Sequence, residues 1–265
     1  MMFGMFRSLW QYRQFVFSSV QNELRSRFAR SKLGGLWMIM NPLFQVAIYA
    51  LILSNILQSK LPETNDKYAY PVYLMAGLLG WSLFSEIISR STTLFIDNGN
   101  LMKKMNFPRV SLPSILVSSC LLNNVLFFIA LLAIFVLIGH PLSLAMLGLI
   151  PLTLILIIFA LGLGLIISIF NVFLRDINQI MPMLLQVWFW FTPIVYPDKI
   201  IPAQFRYLLN FNPMYPIINA YHQILVYNQL PSLAHVMPVI SISLILLGLG
   251  FFLFRQASSE MVDVL

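Results

Sequence analysis

The sequence predicts an all-α integral membrane protein with six transmembrane helices, an N-terminal amphipathic helix at the membrane surface and short re-entrant helices before the last span. Three observations carry that prediction. Of the 265 residues, 59% are hydrophobic and only 9% charged, with a mean hydropathy of +0.84, whereas a soluble domain carries about a quarter of its residues as Asp, Glu, Lys and Arg. Apolar runs recur at about 36–57, 71–89, 112–138, 144–170, 180–196 and 237–254, close to the ~20 residues that a helix needs to cross a bilayer. Basic residues cluster in alternate connections between those runs. Backbone groups in lipid must be paired within the segment, and the alternation of a barrel strand is absent, so the runs are expected to be helices.

The N-terminal segment, 1–32, precedes a membrane domain of 33–265. In WQYRQFVFSSVQNELRSRFARSK, residues 10–32, the apolar positions Trp10, Phe17, Val20, Leu24 and Phe28 recur at three, four or seven residues, and Arg13, Gln14, Gln21, Arg25 and Arg27 lie mainly off that stripe. Such a helix rests in the interface with its apolar side toward lipid, either as an anchor alone or as a surface that a cytoplasmic partner also touches. The segment is too polar and too rich in Arg to act as a cleavable signal peptide.

The first span is placed at 34–57, directly after Arg25, Arg27, Arg30 and Lys32. With the N-terminus inside, eleven of the sixteen basic residues fall on the inner side: Arg7, Arg13, Arg25, Arg27, Arg30, Lys32, Lys103, Lys104, Arg109, Arg175 and Arg255. That bias supports an N-in, C-in orientation, with the basic cluster attracted by the anionic inner leaflet.

The second span, 71–90, carries the main intramembrane charges, Glu86 and Arg90, four residues apart on one helix face. An i,i+4 pair at the inner boundary lessens the cost of both charges, and a role in a path or subunit contact is the alternative. The connection after it holds Asp97, Asn98 and Asn100, which can cap a short helix at 99–107 before Pro108 stops it. That helix needs a docking surface, because so short an element is unstable alone. Spans three, four and five are placed at 111–138, 144–170 and 178–196; Gly162 and Gly164, with Ala160, suit close helix contact in the fourth.

Residues 197–235 form the least regular part, followed by a sixth span at 236–254 and a tail at 255–265. Five aromatic residues, Trp188, Phe189, Trp190, Phe191 and Tyr196, precede Pro197, and five prolines fall between Pro193 and Pro216. The apolar stretches here are too short to span and read as re-entrant or interfacial helices. The rings fit an outer headgroup belt; alternatively some of them, with Tyr215 and Tyr221, line an exit on which apolar sugar faces slide.

Catalytic signatures are missing. There is no HExxH, Walker A, GxSxG or CxxC, and the three histidines, His140, His222 and His235, are isolated. No metal site, cofactor site or catalytic residue is expected. Scarce intramembrane charge argues against a proton-coupled carrier, and the scattered basic residues argue against nucleic-acid binding. Cys120 has no second cysteine to pair with.

Five stretches together resemble the permease subunit of bacterial ABC-2 type polysaccharide exporters, the family that moves lipid-linked O-antigen, capsule or teichoic-acid polymers. They are RSRFARSKLGGLWMIMNPL at 25–43, NLMKKMNFPRVSLP at 100–113, FLRDINQI at 173–180, FTPIVYP at 191–197 and NFNPMYPIINAYHQIL at 210–225. The resemblance implies a conduit formed with a second copy of the permease and driven by two cytoplasmic ATPase subunits that bind ATP and Mg. It implies an undecaprenyl-linked polymer as cargo, a bacterial inner-membrane location and both termini cytoplasmic. By the same resemblance, Gln11, Arg13, Arg25, Arg27 and Arg30 of the interface helix, and Asn100, Leu101, Lys103, Lys104 and Phe107 of a coupling helix, contact the ATPases. Phe189, Trp190, Phe191, Tyr196, Tyr215 and Tyr221 lie near the path, and 197–235 is the periplasmic re-entrant segment. His222 stands where related sequences often carry Arg. An ABC-2 exporter of a small lipid or drug, and a membrane scaffold without transport, are the competing readings.

Overall fold

The structure, a computed structural model, describes residues 12–28, 69–104 and 110–264, with single positions at 37, 40, 44 and 48. The expected first span, 34–57, therefore lies almost wholly outside the described residues, as do Gln11, Arg30 and Phe107. Eight α-helices are described: α1 Arg13–Phe28, α2 Ala69–Asp97, α3 Gly99–Lys104, α4 Ser111–Ile138, α5 Leu149–Phe173, α6 Ile177–Phe191, α7 Met214–Leu225 and α8 Leu233–Val264. Four helical segments are long and apolar enough to cross a membrane: Ala69–Asp97, Ser111–Ile138, Leu144–Phe173 and Leu233–Ser258.

α2 is the central element. It packs against α4, α5, α6 and α7, and Val72, Met75, Ala76, Phe84, Ile87, Ile88 and Phe95 along it are fully buried. A helix apolar on every side is stable only when surrounded, which is the position α2 occupies. α5 joins it to α8. A methyl group added at Gly162 would lie 2.5 Å from the Leu247 backbone nitrogen, and one added at Gly164 would lie 2.5 Å from Ser91 Oγ. Glycines two apart thus let α5 approach α8 on one side and α2 on the other, the close contact their spacing suggests.

The ends of the bundle are held by polar side chains that bond backbone carbonyls of neighbouring helices. Asn171 donates to Thr92 O at 2.8 Å and accepts from the Asn178 N–H at 3.1 Å, clasping the short turn between α5 and α6 to the end of α2. At the opposite end α4 stops at Gly139, which takes the left-handed conformation with φ 73° as helix-ending glycines do. His140 of the same turn reaches Leu225 O at 2.9 Å.

Boundaries differ from the sequence expectation at several helices: α2 runs on to Asp97 rather than 90, and α5 to Phe173 rather than 170. α6 ends at Phe191 rather than 196 because Thr192 is extended, with φ −105° and ψ 130°, as a residue before proline prefers. Its 15 residues reach only about 22 Å. α3 begins as expected but its described part ends at Lys104, and 105–109 lie outside the described residues. Residues 255–264, expected as a tail, continue α8: Phe254 stacks on Phe95 with ring centroids 5.3 Å apart, and Met261 is fully buried.

Candidate functional site

Two regions at opposite ends of the bundle carry the polar chemistry. At the α3 end, α1 lies against α4. Val20 is buried and Phe17 is largely exposed, so the two members of the apolar stripe point to different surroundings. Glu23 explains the docking. Its carboxylate forms an ion pair with Arg90 of α2 and accepts from Ser119 Oγ at 2.7 Å. Arg90 also approaches Glu86 Oε1 at 3.6 Å, the expected i,i+4 pair, and Glu86 Oε1 accepts from Asn123 Nδ2 at 2.7 Å. One guanidinium therefore serves two carboxylates on two helices, and Ser119, Asn123 and Cys120 of α4 complete the cluster. Sequence spacing found Glu86 and Arg90 but missed Glu23, which is 67 residues from its partner.

α3 has the docking surface it requires. Met102 is buried in the main core, and α3 touches both α2 and α8. Asn100 and Lys103 are exposed and Leu101 is half-buried. Asn98 does not cap α3 through its side chain; its amide donates back to Leu94 O at 2.8 Å while its carbonyl accepts the Met102 N–H at 3.0 Å. The end of α2 is left with an orphan carbonyl, and this amide is the nearest donor. Arg13 is exposed in the first turn of α1; Arg25, Arg27 and Lys104 lie on described helices, and their side chains lie outside the described residues.

At the opposite end, Asn212 organises the transition from α6 to α7. Its Oδ1 accepts from Trp188 Nε1 at 2.8 Å and from the Met214 N–H at 3.0 Å, and its Nδ2 donates to Thr192 Oγ1 at 2.9 Å. The turn 193–197 contains two prolines without N–H groups and cannot pair with itself. Tyrosines from the start of α2 pair with it instead: Tyr70 donates to Val195 O at 2.8 Å, and the Tyr73 hydroxyl lies 3.2 Å from Pro193 O and 3.1 Å from Tyr196 O.

The aromatic residues expected along a path separate into groups. Trp190 is 59% exposed and Phe191 49%. Phe189 is half-buried against Trp81, and Tyr196, also half-buried, donates its hydroxyl to Trp190 O at 2.6 Å. Tyr215 donates to Asp198 Oδ2 at 2.8 Å; burial, then this hydrogen bond, raises its hydroxyl pKa. Tyr221 is separate from these residues. It is fully buried, its hydroxyl lies 2.9 Å from Thr153 Oγ1, and both residues border an apolar groove of about 620 Å³ between α4 and α5. Gly80 makes room for its ring, which packs against α2.

His222 is buried and stacked on Tyr73, with ring centroids 3.7 Å apart. Burial pushes its pKa down to about 3, so the ring is neutral where the family resemblance leads one to expect a fixed cation. Its Nε2 is left without a hydrogen-bond partner and would meet a methyl group placed on Gly77 at 2.9 Å.

α6 shows a further pattern. Gln179, Met183, Gln186 and Trp190 recur along one face, and all four are exposed. Unpaired amides facing hydrocarbon are costly. This face is therefore suited to water or to another protein surface.

Comparison with known proteins follows the same lines. The family model for ABC-2 type transporters matches residues 14–226. An O-antigen export system permease from Myxococcus xanthus is 30% identical over 99% of both chains. One from Klebsiella pneumoniae is 31% identical over 74% of each chain, and a polysialic acid transport protein from Escherichia coli is 25% identical over 91% of this chain and 92% of its own.

Proposed function

Because the chain belongs to the ABC-2 type transporter family, as a membrane-embedded, multi-pass protein, we propose that it is the permease of an exporter for a lipid-linked polysaccharide. The full-length likeness to O-antigen permeases and the broader likeness to a polysialic acid transporter support a glycan as cargo. In this reading the cargo is an undecaprenyl-linked polymer and the membrane is the bacterial inner membrane. Two copies of the chain enclose the path, and both termini are cytoplasmic.

The observation that carries the reading is the exposed α6 face of Gln179, Met183, Gln186 and Trp190. A pair of amides and a tryptophan facing away from the chain's own core suit a passage for a hydroxyl-rich polymer. Amides exchange hydrogen bonds with sugar hydroxyls, and the ring offers an apolar face. Phe189, Phe191, Tyr196 and Tyr215 lie toward the exit of that path.

Energy is supplied by two separate subunits that bind ATP and Mg. Closure of those subunits is transmitted through α3, with Asn100, Leu101 and Lys103 exposed or half-buried on its surface, and through α1. The Glu23–Arg90 pair joins α1 to the central helix, so a displacement of α1 is felt directly by α2. Gln11, Arg25, Arg27, Arg30, Lys104 and Phe107 complete the coupling surface in this reading.

The test is complementation. Cells that retain the ATPase and the glycosyltransferases but lack this chain are expected to accumulate lipid-linked polymer inside and to lose it from the surface. A plasmid copy restores display, and a Trp190→Ala copy of equal abundance restores less. Normal surface polymer in the deletion strain would refute the function.

A further inference from the structure

Beyond the α6 turn, a partly open cavity of about 180 Å³ lies between the start of α2, the segment after Pro193 and one face of α7. We propose that this cavity is a binding site for a single neutral hexopyranose unit, formed by Asn219, Gln223, Asp198, Tyr215, Tyr73 and Tyr227. The proposal rests on the export reading for its biological cargo, but the recognition chemistry is that of the cavity itself.

Tyr215, Asn219, Gln223 and Tyr227 succeed one another at four-residue steps. Within α7 that spacing places Tyr215, Asn219 and Gln223 along one helix face, and Tyr227, just beyond its end, completes the wall. Two amides thus stand between two aromatic rings. Among the described residues no hydrogen bond engages the side-chain amide of Asn219 or Gln223. In a chain that is 59% hydrophobic, two adjacent amides without protein partners, both lining one cavity, are an uncommon arrangement.

Asp198 stands across from them. The Tyr215 hydroxyl donates to its Oδ2 at 2.8 Å, which fixes the carboxylate and leaves it further acceptor capacity. A sugar hydroxyl is both donor and acceptor and so matches amides on one side and a carboxylate on the other. The Tyr73 ring, braced by its stack on His222, and the Tyr227 ring give apolar walls for the C–H face of a pyranose.

This lining discriminates among ligand classes. Asp198 and Lys199 both line the cavity, so their charges offset and neither an anionic nor a cationic ligand gains a net attraction, while the amides beside them disfavour a lipid chain. The location is also apt. Tyr73 is linked through Tyr196 to Trp190, since the Tyr73 hydroxyl lies 3.1 Å from Tyr196 O and the Tyr196 hydroxyl donates to Trp190 O at 2.6 Å. A sugar held here sits two hydrogen bonds from the exposed α6 face.

The experiment uses the full chain in lipid nanodiscs and saturation-transfer NMR with methyl glycosides of glucose, galactose, mannose, rhamnose and N-acetylglucosamine. At least one neutral glycoside is expected to receive saturation, and methyl glucuronide to bind no more tightly. Asn219→Leu/Gln223→Leu is expected to weaken binding at least about tenfold, the loss of two hydrogen-bonding groups. Gln223→Leu alone serves the same purpose if the double variant does not insert. Absence of saturation with every neutral glycoside, equal binding by an inserted variant, or tighter binding of the glucuronide would overturn the proposal. Surface polymer is measured in parallel. Export without glycoside binding refutes the site and leaves the export reading intact; glycoside binding that the variants lose, in a chain that exports nothing with its ATPase, refutes the export reading and leaves the site.

Discussion

Arg90 links three helices through its contacts with Glu23, Glu86 and Cys120. Its side chain is 26% exposed, and those of Glu23 and Glu86 are 25% and 28% exposed, so all three are shielded from bulk water without being sealed from it. Removing the guanidinium leaves two carboxylates facing one another, and that uncompensated charge costs more than the pair itself contributes. Arg90→Gln and Glu23→Gln are each expected to lower thermal stability in detergent by about 1–3 kcal/mol. The double variant should lose less than the sum by about 1–2 kcal/mol. Strict additivity across this double-mutant cycle would show that α1 does not depend on the pair. Half of the cluster was legible in the sequence: Glu86 and Arg90 are four residues apart and share a helix face whatever the fold. Glu23 and Ser119 were not legible, because no local periodicity connects residues 23, 90 and 119.

Elements meet closely where a side chain is missing. At Gly162 a methyl group would strike the backbone of α8, at 2.5 Å from Leu247 N and 2.7 Å from Leu246 C, and backbone cannot rotate away as a side chain can. Gly162→Ala is expected to cost about 1–3 kcal/mol by forcing α5 and α8 apart. Gly248, on the partner helix, has open space around the same added atom; Gly248→Ala should be neutral, or stabilising by up to about 1 kcal/mol through helix propensity. Thermal denaturation of the two variants in nanodiscs tests the contrast, and equal stability would remove the close approach from the packing account. The glycines of α5 could be read as contact residues from their spacing and apolar context. Which neighbour each one faces could not, since that depends on the rotation of α5 between α2 and α8. The span expected at 178–196 ran through Pro193, so neither the end of α6 at Phe191 nor the hub at Asn212 was read from the sequence. Asn212 precedes a proline as many turn residues do, and only folding brings Trp188 and Thr192 to its amide.

Across the whole molecule, Lys and Arg are more numerous at one end of the bundle than at the other, where Lys199 and Arg206 stand together. Lys103 follows the end of α2, Arg175 follows the end of α5, and Arg255 lies beside Phe254, which stacks on Phe95. Asn171 ties the ends of α2 and α5 together through Thr92, so these basic residues belong to one end. Lys199 follows the turn that Tyr70 and Tyr73 hold at the start of α2, which is the other end. With Cys120 replaced by serine, cysteines introduced at Lys103 and Arg255 are expected to resist a membrane-impermeant maleimide in spheroplasts, and one at Lys199 to react. Labelling of 103 together with 199 would contradict the orientation drawn from the basic residues. The charge bias was readable because it follows the order of loops, and loop order alternates sides whenever every run crosses.

By itself, the sequence determined that this chain is a bundle of long apolar helices and where α4 begins and ends. Apolar length, proline position and charge between runs are local quantities, and the bilayer converts them directly into spans and sides. Only the tertiary structure decided that Glu23 reaches Arg90, that Tyr221 and His222 are interior, that α8 carries on past residue 255, and that Asn219 and Gln223 face Asp198 across one cavity. Those outcomes depend on the rotation and depth of each helix against its neighbours, which are set by packing between residues far apart in the chain.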